Sequence, residues 1–160
     1  MASGDQRATT PTGIDGTGLR LGVVRARWNA EIVERLAAGV RRALDTLGVT
    51  DVVEHAVPGC FEIPLAAKTL AASGAVDAVV CIGAVIRGET THYELVSGEC
   101  GRGVQQAQLE VGVPILFGVL TVEDEAQALA RSEPEGGHNV GEEAAAGAVE
   151  MARLVAALRA

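Results

Sequence analysis

With 160 residues, 48% of them hydrophobic but only 2% aromatic, the chain makes one domain able to bury about two-thirds of its surface. Val, Ala, Leu and Ile must fill that core, so Trp28, Phe61, Tyr93 and Phe117 each need a separate explanation. A net charge of −8 with one lysine, Lys68, argues against nucleic acid or an anionic membrane as a partner.

Residues 1–18 are rich in Gly, Thr, Asp and Pro without an apolar period and read as a flexible N-terminal arm; 19–160 read as a single domain. A strand over 19–27 stops at Trp28. Asn29 is the expected N-cap of a helix whose apolar face is Ile32, Val33, Leu36, Val40 and Leu44, closed by Gly48. A second strand over 49–57 ends at Pro58-Gly59, and a helix over 61–72 follows. The run over 76–86 is almost continuously apolar, as a strand buried on both faces should be. A helix over 91–111 carries Val96, Cys100, Val104 and Ala107 on one stripe, and 113–121 is a fourth buried strand. A short acidic helix over 123–131, a Pro/Gly loop over 132–141 and a helix carrying Ala145, Val149, Ala152 and Val155 complete the chain. Strict alternation of strand and helix predicts a single α/β domain with a four-stranded parallel sheet between helix layers.

Cys60, Cys81 and Cys100 form no C-x-x-C pair and suit reduced thiols in a cytoplasmic protein better than a disulfide frame or zinc site. No apolar run approaches the 18 residues of a membrane span, and the N-terminus lacks a secretory apolar segment.

Parallel α/β sheets bind ligands beyond the carboxyl ends of their strands. The first three strands end in distinctive clusters: Arg27-Trp28-Asn29, then Pro58-Gly59-Cys60-Phe61-Glu62, then the run from Ala84, Val85 and Ile86 to His92. Three of the four aromatics fall in or beside them, which suits stacking on a flat ligand; the plainer alternative is that the rings plug the sheet end. The stretch from Gly83 through Arg87, Gly88, Glu89 and Thr90 resembles a nucleotide-phosphate loop, but Glu89 stands where the phosphate-reaching lysine belongs. The stretch therefore suits a nucleoside triphosphate poorly. A single phosphate fits, because Thr91 and Glu94 have capping-box spacing at a helix start and Arg87 adds charge. His92, in the first turn of that helix, is a candidate proton carrier near neutral pH. Glu62 is a candidate acceptor for a ligand N–H or hydroxyl. His55 and His138 share no metal-ligand spacing with His92, and no Ser/His/Asp or Cys/His arrangement is legible.

Trp28-Asn29, the P-G-C-F-E-I-P run at 58–64, G-A-V-I-R-G-E-T-T-H at 83–92, G-V-P-I-L-F-G-V-L-T at 112–121 and Arg131 resemble, in order over about 19–158, the 6,7-dimethyl-8-ribityllumazine synthases of riboflavin biosynthesis. The resemblance implies a flavodoxin-like α/β/α sandwich assembled as a homopentamer, or a multiple of pentamers, with sites between neighbours. It implies condensation of 5-amino-6-(D-ribitylamino)uracil with 3,4-dihydroxy-2-butanone 4-phosphate, without metal or organic cofactor. By position, Trp28 would stack on the pyrimidine beside Asn29, while Cys60, Phe61, Glu62, Ala84, Val85 and Ile86 would hold the ring and ribityl chain. Arg87, Gly88, Glu89 and Thr90 would face the phosphate, and His92 would transfer protons. Phe117 and a phosphate-binding Arg131 would come from the adjacent subunit. One departure stands out: where the family usually has a lysine before the glycine that opens the last helix, this chain reads Asn139-Val140-Gly141. The alternatives to be weighed are a paralogue with a related condensation and a non-catalytic flavin- or lumazine-binding shell protein.

Overall fold

The computed structural model describes residues 7–160; the first six residues of the expected arm lie outside it. Among the described residues four strands form one sheet: β1 (Arg20–Ala26), β2 (Asp51–Val57), β3 (Ala78–Ile86) and β4 (Ile115–Val122). Their order is β2-β1-β3-β4 and every neighbouring pair is parallel. The central strands β1 and β3 are buried along nearly their whole length; β3 accordingly reads as a continuous apolar run, while β1 carries charge only at Arg20 and Arg25. The edge strand β2 is exposed from Asp51 to Ala56 and buried only at Val57. Its Asp51 and Glu54 place charge along an edge that would otherwise invite pairing.

Helices cover both faces, giving a three-layer α/β/α sandwich. On one side α1 (Ala30–Thr46) and α5 (Val140–Arg159) close over a core containing Leu21, Leu36, Val80, Ile82 and Val149. On the other, α2 (Ile63–Ala72) and α3 (His92–Val111) cover Val24, Ile63, Val79, Cys81 and Val104. The short α4 (Glu125–Leu129) follows β4. The apolar face predicted for α1 is the buried one, and Gly48, at φ +79°, takes the left-handed conformation just past the end of that helix.

Three local expectations are corrected. The helix read over 61–72 begins as a 3-10 turn, Cys60–Glu62, and turns α-helical only at Ile63, with Pro64 in the first turn, where its missing N–H costs nothing. Asn29 precedes α1 but does not cap it with its side chain; it adopts φ 58° and ψ 51°, and its amide is used elsewhere. The capping box at Thr91 and Glu94 does not form: Thr91 makes no side-chain cap, and the Glu94 carboxylate is taken by Arg87.

Residues 14–18 lie against the domain. Ile14 packs on the α1–α5 core, the Gly16 N–H donates to the Leu47 carbonyl at 2.7 Å, and Arg153 donates to the Asp15 and Thr17 carbonyls at 2.8 Å each.

Candidate active site

In a sheet of order 2-1-3-4 the chain reverses its direction of travel between β1 and β3. The ends of these strands diverge there and leave a crevice outside their carboxyl termini. A cleft of about 560 Å³ occupies that position. The connection after β1 supplies Trp28 and Asn29, and the turn after β2 supplies Gly59, Cys60, Phe61 and Glu62. The end of β3 supplies Ala84, Val85 and Ile86. Gly88, Thr90 and His92 come from the connection into α3 and its first turn. Residues up to 64 positions apart in sequence thus converge because parallel strands all finish on one side of the sheet.

The rings do not plug the sheet end. Trp28 is 74% exposed and Phe61 55% exposed, so both stand at the rim with free faces. Behind them the backbone is held tightly. The Asn29 amide donates to the Ala84 carbonyl at 2.9 Å, tying the loop after β1 to the end of β3. At Gly83 a Cβ would stand 2.5 Å from the Cys60 sulfur, so glycine is what allows the turn after β2 to lie on β3. At Gly59 a Cβ would lie 3.1 Å from the Trp28 ring and 3.5 Å from a Glu62 carboxylate oxygen, which brings these two side chains around one open space.

Burial pushes the Cys60 thiol up to about 11, and the nearby Glu62 adds to the rise. Cys60 is therefore an apolar wall at neutral pH and not a nucleophile. Cys81 and Cys100 are buried and free, and burial raises both thiols further. Among the described residues no group of three or more His, Cys, Asp and Glu side chains is placed to hold a metal ion, and no helix is long and apolar enough to cross a membrane.

At the other end of the cleft, His92 opens α3 and is exposed, with its backbone N–H donating to the Thr90 hydroxyl at 3.3 Å. The early N–H groups of a helix have no partner within it, and Thr91 offers no side-chain cap. An anion with several acceptor oxygens suits such a start, flanked by Gly88, Glu89 and Thr90. Arg87 is exposed but engaged: its guanidinium pairs with Glu94 and Glu123 and lies 4.2 Å from the centre of the Tyr93 ring. Neither Arg87 nor Glu89 lines the cleft.

Phe117 and Arg131 lie outside the cleft. Phe117 is on β4, 39% exposed, near Gly101 of α3. Arg131 follows α4 and donates to the Gln127 carbonyl at 2.9 Å, while its own carbonyl accepts from the Val140 N–H at 2.9 Å. Its loop is clamped to α1: the buried Asn139 donates to the Arg35 carbonyl at 3.1 Å and accepts from Gly141 and Glu142, and Arg35 donates back to the Ser132 carbonyl at 3.0 Å.

Sequence reasoning grouped Tyr93 with the rings beside the strand ends but missed Leu95 and Val96; the three complete the wall along the start of α3. The helical period assigned Val96 to the core stripe, and it does pack on the core with Tyr93; the cleft opens where that stripe runs past the sheet. A stripe that outruns the strands it covers is the signal that could have found them.

A doubly wound α/β domain has its ligand crevice at the switch point, and this one is lined by exposed rings at its rim and by the uncapped start of α3 with His92 in its first turn. That arrangement suits an enzyme acting on small molecules. Residues 18–156 match the 6,7-dimethyl-8-ribityllumazine synthase family, and the chain belongs to it. It is 51% identical to the 6,7-dimethyl-8-ribityllumazine synthase of Kineococcus radiotolerans over 91% of this chain and 89% of that one. It is 47% identical to the enzyme of the same name from Thermococcus gammatolerans over 92% and 94% of the two chains. With the one from Azoarcus it shares 44% identity over 99% and 100%.

Proposed function

We propose that the chain condenses 5-amino-6-(D-ribitylamino)uracil with 3,4-dihydroxy-2-butanone 4-phosphate to give 6,7-dimethyl-8-ribityllumazine, releasing phosphate and water. The observation that carries this reading is the coincidence of family membership over the whole domain with a cleft that collects the ring, imidazole and helix-start residues. The amine of the pyrimidine attacks the ketone and water leaves as the imine forms. Phosphate is then eliminated, and ring closure through the ribitylamino nitrogen expels water again. Each step moves protons but transfers no electron to an acceptor, so the chemistry asks for positioning and a proton carrier.

In this reading Trp28 stacks on the pyrimidine, and its exposed ring at the cleft rim supports the role. Asn29, Cys60, Phe61 and Glu62 border the heterocycle, with Ala84, Val85 and Ile86 below the ribityl chain. Gly88, Glu89 and Thr90 hold the phosphate through backbone N–H groups and the Thr90 hydroxyl. His92 moves the proton that leaves the amine. Phe117 and Arg131, which lie outside this chain's own cleft, serve the site of a neighbouring copy. The working form is then a homopentamer or a multiple of it, and the free thiols support a reducing, cytoplasmic setting.

Incubation with both substrates, following lumazine absorbance and released phosphate together, tests the proposal. One product per phosphate supports it; binding of either substrate without phosphate release rejects it.

A further inference from the structure

Arg87 directly follows β3 and precedes Gly88, a place where a cation would be expected to meet the phosphate. Its guanidinium is turned to other work. Nε donates to Glu123 at 2.7 Å, Nη1 donates to Glu94, and the plane lies 4.2 Å from the Tyr93 ring centre. Its backbone N–H donates to the Val122 carbonyl at 2.9 Å. One side chain therefore connects the end of β3, the start of the β4–α4 connection and the first turn of α3. That turn has no side-chain N-cap, and both His92 and Tyr93 within it line the cleft while Arg87 does not. The Glu123 side is braced in turn by Gln127, whose side chain accepts from the Glu123 N–H at 2.9 Å.

We propose that Arg87 is a positioning residue: it locks the uncapped first turn of α3 against the ends of β3 and β4 and so fixes His92 and Tyr93 at the cleft, without touching the phosphate. The inference rests on His92 being the proton carrier. It separates two roles that an arginine beside a phosphate loop could play, because they make opposite demands on Glu94. If Arg87 bound phosphate, Glu94 would compete for the guanidinium and its removal would strengthen phosphate binding. If Arg87 positions the turn, Glu94 is its anchor and its removal weakens catalysis.

The test compares the wild type with Arg87→Met, Arg87→Lys and Glu94→Gln in the assembled protein. It uses kcat and KM for both substrates, inhibition by inorganic phosphate, and the line width of the His92 ring resonance, assigned through His92→Gln. Arg87→Met and Glu94→Gln should each lower kcat about 10- to 100-fold, as loss of positioning does. Inhibition by phosphate should change by less than about twofold, well below the tenfold or more expected from a lost charged contact, and the His92 resonance should broaden. Arg87→Lys, which restores charge but not the fork, should recover only part of kcat. A tenfold or greater loss of phosphate inhibition in Arg87→Met, tighter phosphate binding in Glu94→Gln, or an unchanged His92 resonance would overturn the proposal. The resonance needs no turnover, so it remains readable even if the wild type were to make no lumazine.

Discussion

The Asn29 side chain donates to the Ala84 carbonyl at 2.9 Å from a backbone at φ 58°, the one positive φ outside glycine among the described residues. The residue after Trp28 thus holds two strand ends together in a conformation that asparagine tolerates better than most. Asn29→Ala loses the hydrogen bond and strains the backbone, and should cost about 1–3 kcal/mol in a urea unfolding measurement. Asn29→Gly keeps the backbone relaxed and should cost less, about 0.5–1.5 kcal/mol. Equal losses would mean that the conformation is not under strain.

Trp28 is the only tryptophan, and its exposed ring contributes little to the core. Trp28→Ala should leave stability within about 0.5 kcal/mol. A lumazine analogue should quench the wild-type fluorescence, and its binding should weaken in Trp28→Ala by more than the roughly 0.5–1.5 kcal/mol of stacking alone. Trp28→Phe and Trp28→Tyr should retain most of the affinity. Three equal losses would remove stacking from the account.

How much of this was legible in the sequence follows from where the forces are local. The burial of β3 on both faces writes itself as an unbroken apolar run, and alternating elements made a parallel sheet the simplest closure, so the strand-end rule located the cleft. Asn29 and Glu94 depart from the expected helix caps because partners distant in sequence or across a turn hold their side chains: the Ala84 carbonyl takes the Asn29 amide N–H, and Arg87 takes the Glu94 carboxylate. Residues 14–18 showed no apolar period because what holds them is largely polar, the Arg153 side chain and the Leu47 carbonyl. Such pairings leave no spacing to read.

Arg131 and Val140 meet through backbone at 2.9 Å, and Val140 packs on the α1–α5 core. If Arg131 reaches a neighbour's phosphate, Arg131→Ala should raise KM for the phosphorylated substrate about 10- to 100-fold and leave KM for the pyrimidine nearly unchanged. Val140→Lys in that background should restore part of the loss, because the new ammonium starts one backbone pair away. A KM change shared by both substrates, or no rescue, would withdraw Arg131 from the phosphate.

Acid stability has a local handle in Asp77. Burial pushes its carboxyl up, but Arg20, donating from its backbone at 2.7 Å and its guanidinium at 3.1 Å, outweighs this and holds it below the ordinary aspartate range. A carboxylate lowered by folding stabilises the fold above its unfolded value, about 3.9, and loses that contribution as pH falls through the lower folded value. Asp77→Asn should therefore be less stable at neutral pH and should show a shallower loss of stability below about pH 4. An identical acid profile in both proteins would count against the pairing.

The central claim, a cleft at the sheet end completed by the neighbour's Arg131, is tested most directly by mixing two crippled proteins. One carries Trp28→Ala with His92→Ala, which empties its own cleft; the other carries Arg131→Ala and retains an intact one. Co-expressed with different tags and purified as mixed oligomers, they should regain up to about a quarter of wild-type activity, the share of sites that random assembly builds from two intact halves. Mixed oligomers no more active than the average of the two parents would contradict it.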